Sequence, residues 1–294
     1  MNITANRNSL IMKLILTVVT TTVCLAATLC FSGALNTYAD SDKNSARSSV
    51  PKGEGDRQGL TPMDASKHHP ANGKHWNQFR GPNGQGVAQT DRIPVHFSPE
   101  ENVLWKTAVP AGHSSPVIWN TRIFLTASEP ANKKELITLA INREDGKILW
   151  RQVVQAETEV SFHPLNNPTS STPVADDKHV YVYFGTYGLL CYDHAGNEVW
   201  LRRIDTPESK YGMATSPILY KDTVILVLDS DSGSSRLLAV HRDTGQTVWE
   251  QPRSLFKAGW STPMIFRHGE VDELVVLGSK RLTSYEPSTG EEIW

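Results

Sequence analysis

The chain has 294 residues, with 29 Lys plus Arg against 31 Asp plus Glu and a formal net charge of −2. That balance gives no reason to expect a nucleic-acid partner, because a phosphate-binding surface needs excess Lys and Arg. At 39% hydrophobic and 20% charged, the composition is not that of a disordered chain, and the length suffices for one large domain or two small ones.

Arg7 and Lys13 precede an uncharged stretch from Leu14 to Phe31. A basic segment followed by an apolar one is the pattern of a secretory signal. Small residues follow in Ser32-Gly33-Ala34 and Thr37-Tyr38-Ala39, which places cleavage after Ala34 or Ala39. The alternative is an uncleaved anchor, although threonines dilute the stretch and a spanning helix wants about 20 apolar residues. Both readings of residues 1–39 predict export, to the periplasm or outside the cell, with membrane contact through this segment alone. Cys24 and Cys30 lie inside it, preceded by Val23 and Leu29 instead of the small residue of a lipoprotein signal. The rest of the chain holds only Cys191, so the mature fold has no intramolecular disulfide and must rest on burial. Residues 40–73, rich in Ser, Lys, Asp, Pro and Gly, read as a disordered linker. His68 and His69 within it read as solvated side chains, not metal ligands.

From residue 74 onward one unit repeats. Asp145-Gly146-Lys147-Ile148-Leu149-Trp150, Ala195-Gly196-Asn197-Glu198-Val199-Trp200, Thr244-Gly245-Gln246-Thr247-Val248-Trp249 and Thr289-Gly290-Glu291-Glu292-Ile293-Trp294 share Gly, three residues, then Trp. Four other segments alternate with them: Ser114-Ser115-Pro116, Ser171-Thr172-Pro173, Thr215-Ser216-Pro217 and Ser261-Thr262-Pro263. The second copy reads most cleanly. Val174 leads into a turn at Asp176-Asp177-Lys178. His179 to Phe184 is β-branched and aromatic, hence strand. Gly185 to Gly188 turns, Leu189 to Tyr192 is a strand, Asp193 to Gly196 turns, and Glu198 to Leu201 is the fourth strand. Four short antiparallel strands per ~45 residues make a propeller blade. No copy offers the long 3.6-residue periodicity of a helical solenoid.

The recurring positions of the unit have physical tasks. Each turn Gly supplies positive φ, and each Trp is a large plane that can fill the gap between neighbouring blades. The predicted docking set is therefore Trp105, Trp150, Trp200, Trp249 and Trp294 with Gly146, Gly196, Gly245 and Gly290. The Pro, placed in the first strand, removes an amide donor, which suits an innermost edge strand. Asn102-Val103-Leu104-Trp105-Lys106 reads as a fourth strand with no first three before it, as if it closed a ring. The expected fold is all-β: a β-propeller over residues 74–294, with four blades and one closing strand of an incomplete ring.

The Gly-x-x-x-Trp repeat resembles the tryptophan-docking repeat of quinoprotein alcohol dehydrogenases and the wider PQQ-like β-propeller repeat family, which includes BamB-type outer-membrane assembly proteins. The run from Trp76 to Gly86, followed by Val103-Leu104-Trp105-Lys106, is similar to exported bacterial members. The resemblance implies a ring of seven or eight blades. It also implies, for the enzymes of the family, an adjacent-cysteine disulfide, calcium held by carboxylate and amide, and an Asp base. This chain has no adjacent cysteines, and no Asp or Asn maps to those roles.

The remaining motifs are weak. Asp229-Ser230-Asp231-Ser232-Gly233 resembles the start of a calcium loop, but its twelfth position is Val240, so it reads as a polar hairpin turn between Val224–Leu228 and Arg236–Val240. Gly81, Gly84 and Gly86 lack the Lys-Ser or Lys-Thr of a phosphate loop and read as a structural turn, with Arg80 packed over Phe79 or Trp76. His113, His163, His179, His194, His241 and His268 show no paired spacing for zinc. His163 to Asn167, Lys210 to Met213 and Lys257 to Trp260 precede the inner strands and differ in type while the frame repeats, as loops of a binding face do. The leading expectation is a non-catalytic exported scaffold that binds a protein, peptide or glycan and needs no cofactor. The alternative is a periplasmic PQQ- and calcium-dependent quinoprotein dehydrogenase of alcohol or polyvinyl-alcohol type.

Overall fold

The computed structural model describes residues 75–88, 90, 94–129, 132–156 and 162–294. These fall in the compact unit Ala65–Trp294. The expected signal and linker lie outside the described residues.

Four antiparallel sheets follow one another along the chain. The first holds β1 (His75–Trp76), β2 (Val117–Trp119), β3 (Arg122–Glu129), β4 (Asn132–Asn142) and β5 (Ile148–Gln155), in that order. The second holds β6 (Val174–Ala175), β7 (His179–Phe184), β8 (Gly188–Asp193) and β9 (Glu198–Arg202). The third holds β10 (Ile218–Tyr220), β11 (Thr223–Leu228), β12 (Arg236–His241) and β13 (Thr247–Pro252). The fourth holds β14 (Met264–His268), β15 (Val271–Leu277) and β16 (Leu282–Tyr285). Each sheet is a blade of a β-propeller.

Strand alternation explains the stacking. Val180, Val182 and Phe184 of β7 face the first blade, against Val117, Phe124, Leu136 and Ala140. Tyr181 and Tyr183, the alternate residues, face the third blade, against Val224, Leu226 and Leu228. Ile225 and Val227 then meet Leu274, Val276 and Tyr285 of the fourth. Successive side chains of a strand point to opposite faces, so an unbroken apolar run is needed where both faces are covered. Burial of these runs is the main stabilising term, at about 25 cal/mol per Å² of apolar surface.

Four details differ from the sequence reading. Pro116, Pro173, Pro217 and Pro263 stand one residue before β2, β6, β10 and β14, not inside them. A proline there fixes the entry to the strand without removing a ladder donor. The residues from Asn102 to Lys106 form no ladder, because no described strand lies beside them to supply one. The first blade gains a strand instead, since β1 pairs with β2 through His75↔Trp119 and Trp76↔Ile118. In the fourth blade the expected last strand makes one bridge, Tyr285↔Glu292, with Ile293 donating to Ser284 O at 2.8 Å.

A recurrent β-bulge was not legible beforehand. The register shifts between Ala140 and Ile141, between Cys191 and Tyr192, and between Ala239 and Val240. The extra, unpaired residues are Leu149, Val199 and Val248, each directly before Trp150, Trp200 or Trp249. A bulge adds one residue and re-aims a side chain. Here it occurs at each docking Trp of the first three blades.

Candidate functional site

The frame comes first. Trp150 of the first blade lies on Gly196 of the second, where a Cβ would stand 2.8 Å from Trp150 Cδ2. Its indole Nε1 donates to His194 O at 3.1 Å. Trp200 repeats this on Gly245 and Arg242 O at 2.8 Å, and Trp249 on Gly290 and Pro287 O at 3.2 Å. Trp105 does the same on Gly146 and Arg143 O at 2.9 Å, although its segment forms no strand. The four glycines have φ of 72°, 93°, 69° and 78° in chain order, a region that side chains rarely adopt. Trp294 is different: 54% exposed, with its indole donating to Glu273 Oε2 at 3.0 Å inside its own blade.

The Ser/Thr-Pro motifs form a second inter-blade link that sequence reasoning missed. Ser115 N donates to Thr172 Oγ1 at 2.9 Å, Thr172 N to Ser216 Oγ at 3.0 Å, and Ser216 N to Thr262 Oγ1 at 3.2 Å. Each hydroxyl thus satisfies the amide of its counterpart one blade earlier. The residue before it adds Ser171 Oγ to Thr215 O and Thr215 Oγ1 to Ser261 O. Buried amides need partners, and this chain of hydroxyls provides them where no ladder reaches.

On this frame the connecting loops carry a row of rings. The His163 and Tyr211 ring centroids are 5.4 Å apart at 73°, and those of Tyr211 and Trp260 are 5.6 Å apart at 56°. The three residues come from three successive connections between blades. Neighbouring loops hold the row: Asn166 Nδ2 donates to Tyr211 O at 2.6 Å, and Trp260 Nε1 donates to Gly212 O at 2.8 Å. Gly212 has φ of 82°, and Phe162 and Asn166 occupy the space a Cβ would need. Tyr211 and Trp260 nevertheless stay 42% and 43% exposed. Lys210 Nζ stands 5.5 Å from the Tyr211 ring centre, and Lys257 Nζ donates to Asp231 O at 2.8 Å.

The Asp229–Gly233 run is a hairpin turn between β11 and β12 that anchors the Trp260 loop. Asp229 is buried and takes two bonds from buried Arg253, at 2.9 and 3.1 Å. Arg253 stacks over Phe256 at 3.9 Å and donates to Tyr285 OH. Breaking such a buried pair strands a charge, so it holds the loop start rigidly. Asp231 accepts from the amides of Ala258 at 3.2 Å and Lys210 at 3.4 Å. One carboxylate thus ties two of the ring-bearing loops.

The other candidate groups have plain surroundings. Cys191 is fully buried in β8, and burial pushes its thiol well above the ordinary range, which suppresses the reactive thiolate. Among the described residues, no group of three or more His, Cys, Asp or Glu is placed to hold a metal. The buried carboxylates Asp176 and Asp229 are each engaged by an arginine, Arg242 and Arg253. Gly81, Gly84 and Gly86, with φ of 71°, 66° and 73°, form a turn in which Gly81 packs on Trp76. Arg80 lies against Gly86 and Gln85 O instead of over a ring. The tight turn leaves its guanidinium nearer the backbone.

Blades of this kind, joined by Trp on Gly, define a β-propeller of PQQ-like repeats. The family model described as outer membrane protein assembly factor BamB matches residues 95–259, more than half of the chain, and the protein belongs to that family. No curated protein matches the chain significantly. Among solved structures, BamB from Moraxella catarrhalis is 14% identical with a TM-score of 0.47, covering 66% of this chain and 54% of that one. Quinohemoprotein alcohol dehydrogenase ADHIIG from Pseudomonas putida HK5 is 13% identical with a TM-score of 0.52, covering 76% of this chain and 40% of that one. The quinohemoprotein alcohol dehydrogenase from Comamonas testosteroni is 14% identical with a TM-score of 0.51, covering 75% and 40%. The chain thus spans 40–54% of the length of these proteins. The likeness to the two dehydrogenases is one of fold.

Proposed function

We propose that this protein is a non-catalytic scaffold that binds a partner through the ring-bearing loops of one rim. The observation that carries this reading is the row His163–Tyr211–Trp260. Three loops of unlike sequence, on a frame of like sequence, meet in one exposed and internally braced surface. Exposed aromatic residues held rigid by their neighbours are common anchors of binding sites. Export fits this reading, supported by the basic-then-apolar N-terminus and by a family described through the outer membrane.

A photo-reactive residue at Leu165, 83% exposed in the His163 loop, tests the reading in the native host. A discrete cross-linked product is expected from position 165 and none from Val199 on the outer strand of the same blade. Equal products from both positions would overturn it. The dehydrogenase alternative is tested with added PQQ and calcium. Stoichiometric quinone binding with dye-linked alcohol oxidation would replace the scaffold reading with an enzyme.

A further inference from the structure

We infer that residues 75–86 are a plug seated in the propeller's own channel, and that the inner edge of the first two blades is a strand-receiving site that this plug keeps closed. The occupant is an extended peptide backbone with an aromatic ring ahead of a tight glycine turn, here supplied by the chain itself. The inference is independent of the rim row.

Position gives the first argument. The Trp-bearing strands β5, β9 and β13 are the outer edges of their sheets, and β2, β6, β10 and β14 are the inner strands, which line a propeller's channel. β10 and β14 end their sheets, but β2 carries β1 on its channel side. Trp76 pairs with Ile118, and the next residue crosses to the second blade. Asn77 O accepts from Ala175 N at 2.8 Å, and Asn77 Nδ2 donates to Ala175 O at 3.4 Å. Ile118 and Ala175 hold the same place in the repeat, two residues after Pro116 and Pro173. Further on, the single turn Pro82–Gly84 lies beside β14 of the fourth blade. One short segment thus runs along the inner strands of three blades.

Construction gives the second argument. The segment is folded on itself: Gly81 N donates to Gln78 O at 2.9 Å, and Gly86 N donates to Arg80 O at 2.7 Å. Trp76 covers Gly81, where a Cβ would stand 2.5 Å from Trp76 Cε3 at a φ of 71°. Gln78 is buried, and His75 stacks on Trp119 at 3.9 Å and accepts from Asn120 N at 3.4 Å. The grip on the blades is nevertheless slight. β1 offers two ladder residues where β7 has six, and so short a strand opens locally at a fraction of the cost of global unfolding. Opening bares the N–H and C=O of Ala175 and the inner edge of β2. Unpaired edges accept another strand through main-chain bonds. The chain fills this edge in advance, at the effective concentration of a tethered ligand, of order mM.

The experiment uses the full chain, and its probe is a fluorescent peptide copying residues 74–88, followed by anisotropy. In the wild type the tethered copy competes, and the peptide binds weakly. Gly81→Val sets a branched Cβ against Trp76 and dislodges the plug, so the peptide is expected to bind that variant at least about tenfold more tightly than the wild type. A peptide carrying Gly81→Val, and a scrambled one, should not bind. Trp76→Ala in the full chain loosens the plug without backbone strain and should give a smaller gain in the same direction. Hydrogen exchange follows the site itself. The Ala175 amide should exchange at least about tenfold faster in Gly81→Val than in the wild type and regain protection with peptide, while β12 stays protected throughout. Four results overturn the inference: equal peptide binding, or none, by wild type and Gly81→Val; a scrambled peptide binding as tightly as the copy; unchanged Ala175 exchange in Gly81→Val; or loss of β12 protection in both variants, which would make the segment part of the core and not a plug.

Discussion

Trp249 and Trp294 end the same Gly-x-x-x-Trp motif one blade apart, yet Trp249 is 8% exposed and Trp294 is 54% exposed. Trp249 lies on Gly290 and bonds to Pro287 O in the next blade. Trp294 has no described blade beyond it and turns to Glu273 of its own. The motif therefore prepares a dock, and the following blade's glycine turn completes it. Burial of the Trp reports the neighbour and not the local sequence.

The largest effect that could break this comparison is at the seam. Trp249→Ala should cost about 3–5 kcal/mol, the range for a buried aromatic truncation. A melting temperature equal to wild type would show that the seam carries no stability. Gly196→Ala comes next, at about 1–3 kcal/mol for a strained backbone, because it places a Cβ against Trp150 at a φ of 93°. Urea unfolding checks it, and a neutral midpoint would mean the two blades can slide apart at no cost. Thr172→Val should cost about 1–3 kcal/mol by leaving the Ser115 amide without its acceptor. Hydrogen exchange at Ser115 should accelerate in that variant, and unchanged protection would contradict the hydroxyl chain.

The free face gives smaller effects. Bonds from Ser284, then His268 and Trp294, hold the Glu273 carboxyl below its ordinary value of 4.5. A carboxyl lowered on folding adds stability above its unfolded pKa and loses it as pH falls through the folded value. Melting temperature should therefore drop below about pH 4.5, and Glu273→Gln should flatten that drop. An unchanged slope would mean that Glu273 is not linked to folding. Trp294→Ala should be the mildest of all, below about 1 kcal/mol, since half of the ring already meets water. A loss as large as that of Trp249→Ala would erase the distinction between seam and free face.

Much of the frame could be read from the sequence because it rests on local pattern. Strands β7 to β9 follow directly from β-branched runs and glycine turns. The bulge at Val199, beside Trp200, could not be read, because one unpaired residue leaves no mark on an apolar alternation. The hydroxyl chain was half visible: the Ser/Thr-Pro repeats were plain, but the step from Thr172 to Ser216 is a contact 44 residues apart. The same distance hid the row. The loops at His163, Lys210 and Lys257 were identifiable as variable, while the ring contacts depend on how far each blade rotates from the last. The segment around Trp105 shows the two levels separating, since its Trp docks on Gly146 although its backbone joins no ladder.

The rim is the contrasting region. It spends no ladder bonds and leaves Tyr211 and Trp260 partly exposed, so its ring faces should matter more for binding than for folding. Tyr211→Ala keeps the carbonyl that Asn166 holds and removes only the exposed ring. The most direct test is the yield of the position-165 cross-link in that variant. The account predicts a fall of about thirtyfold, the equivalent of a ~2 kcal/mol binding anchor. A yield equal to that of the unmodified rim would contradict it.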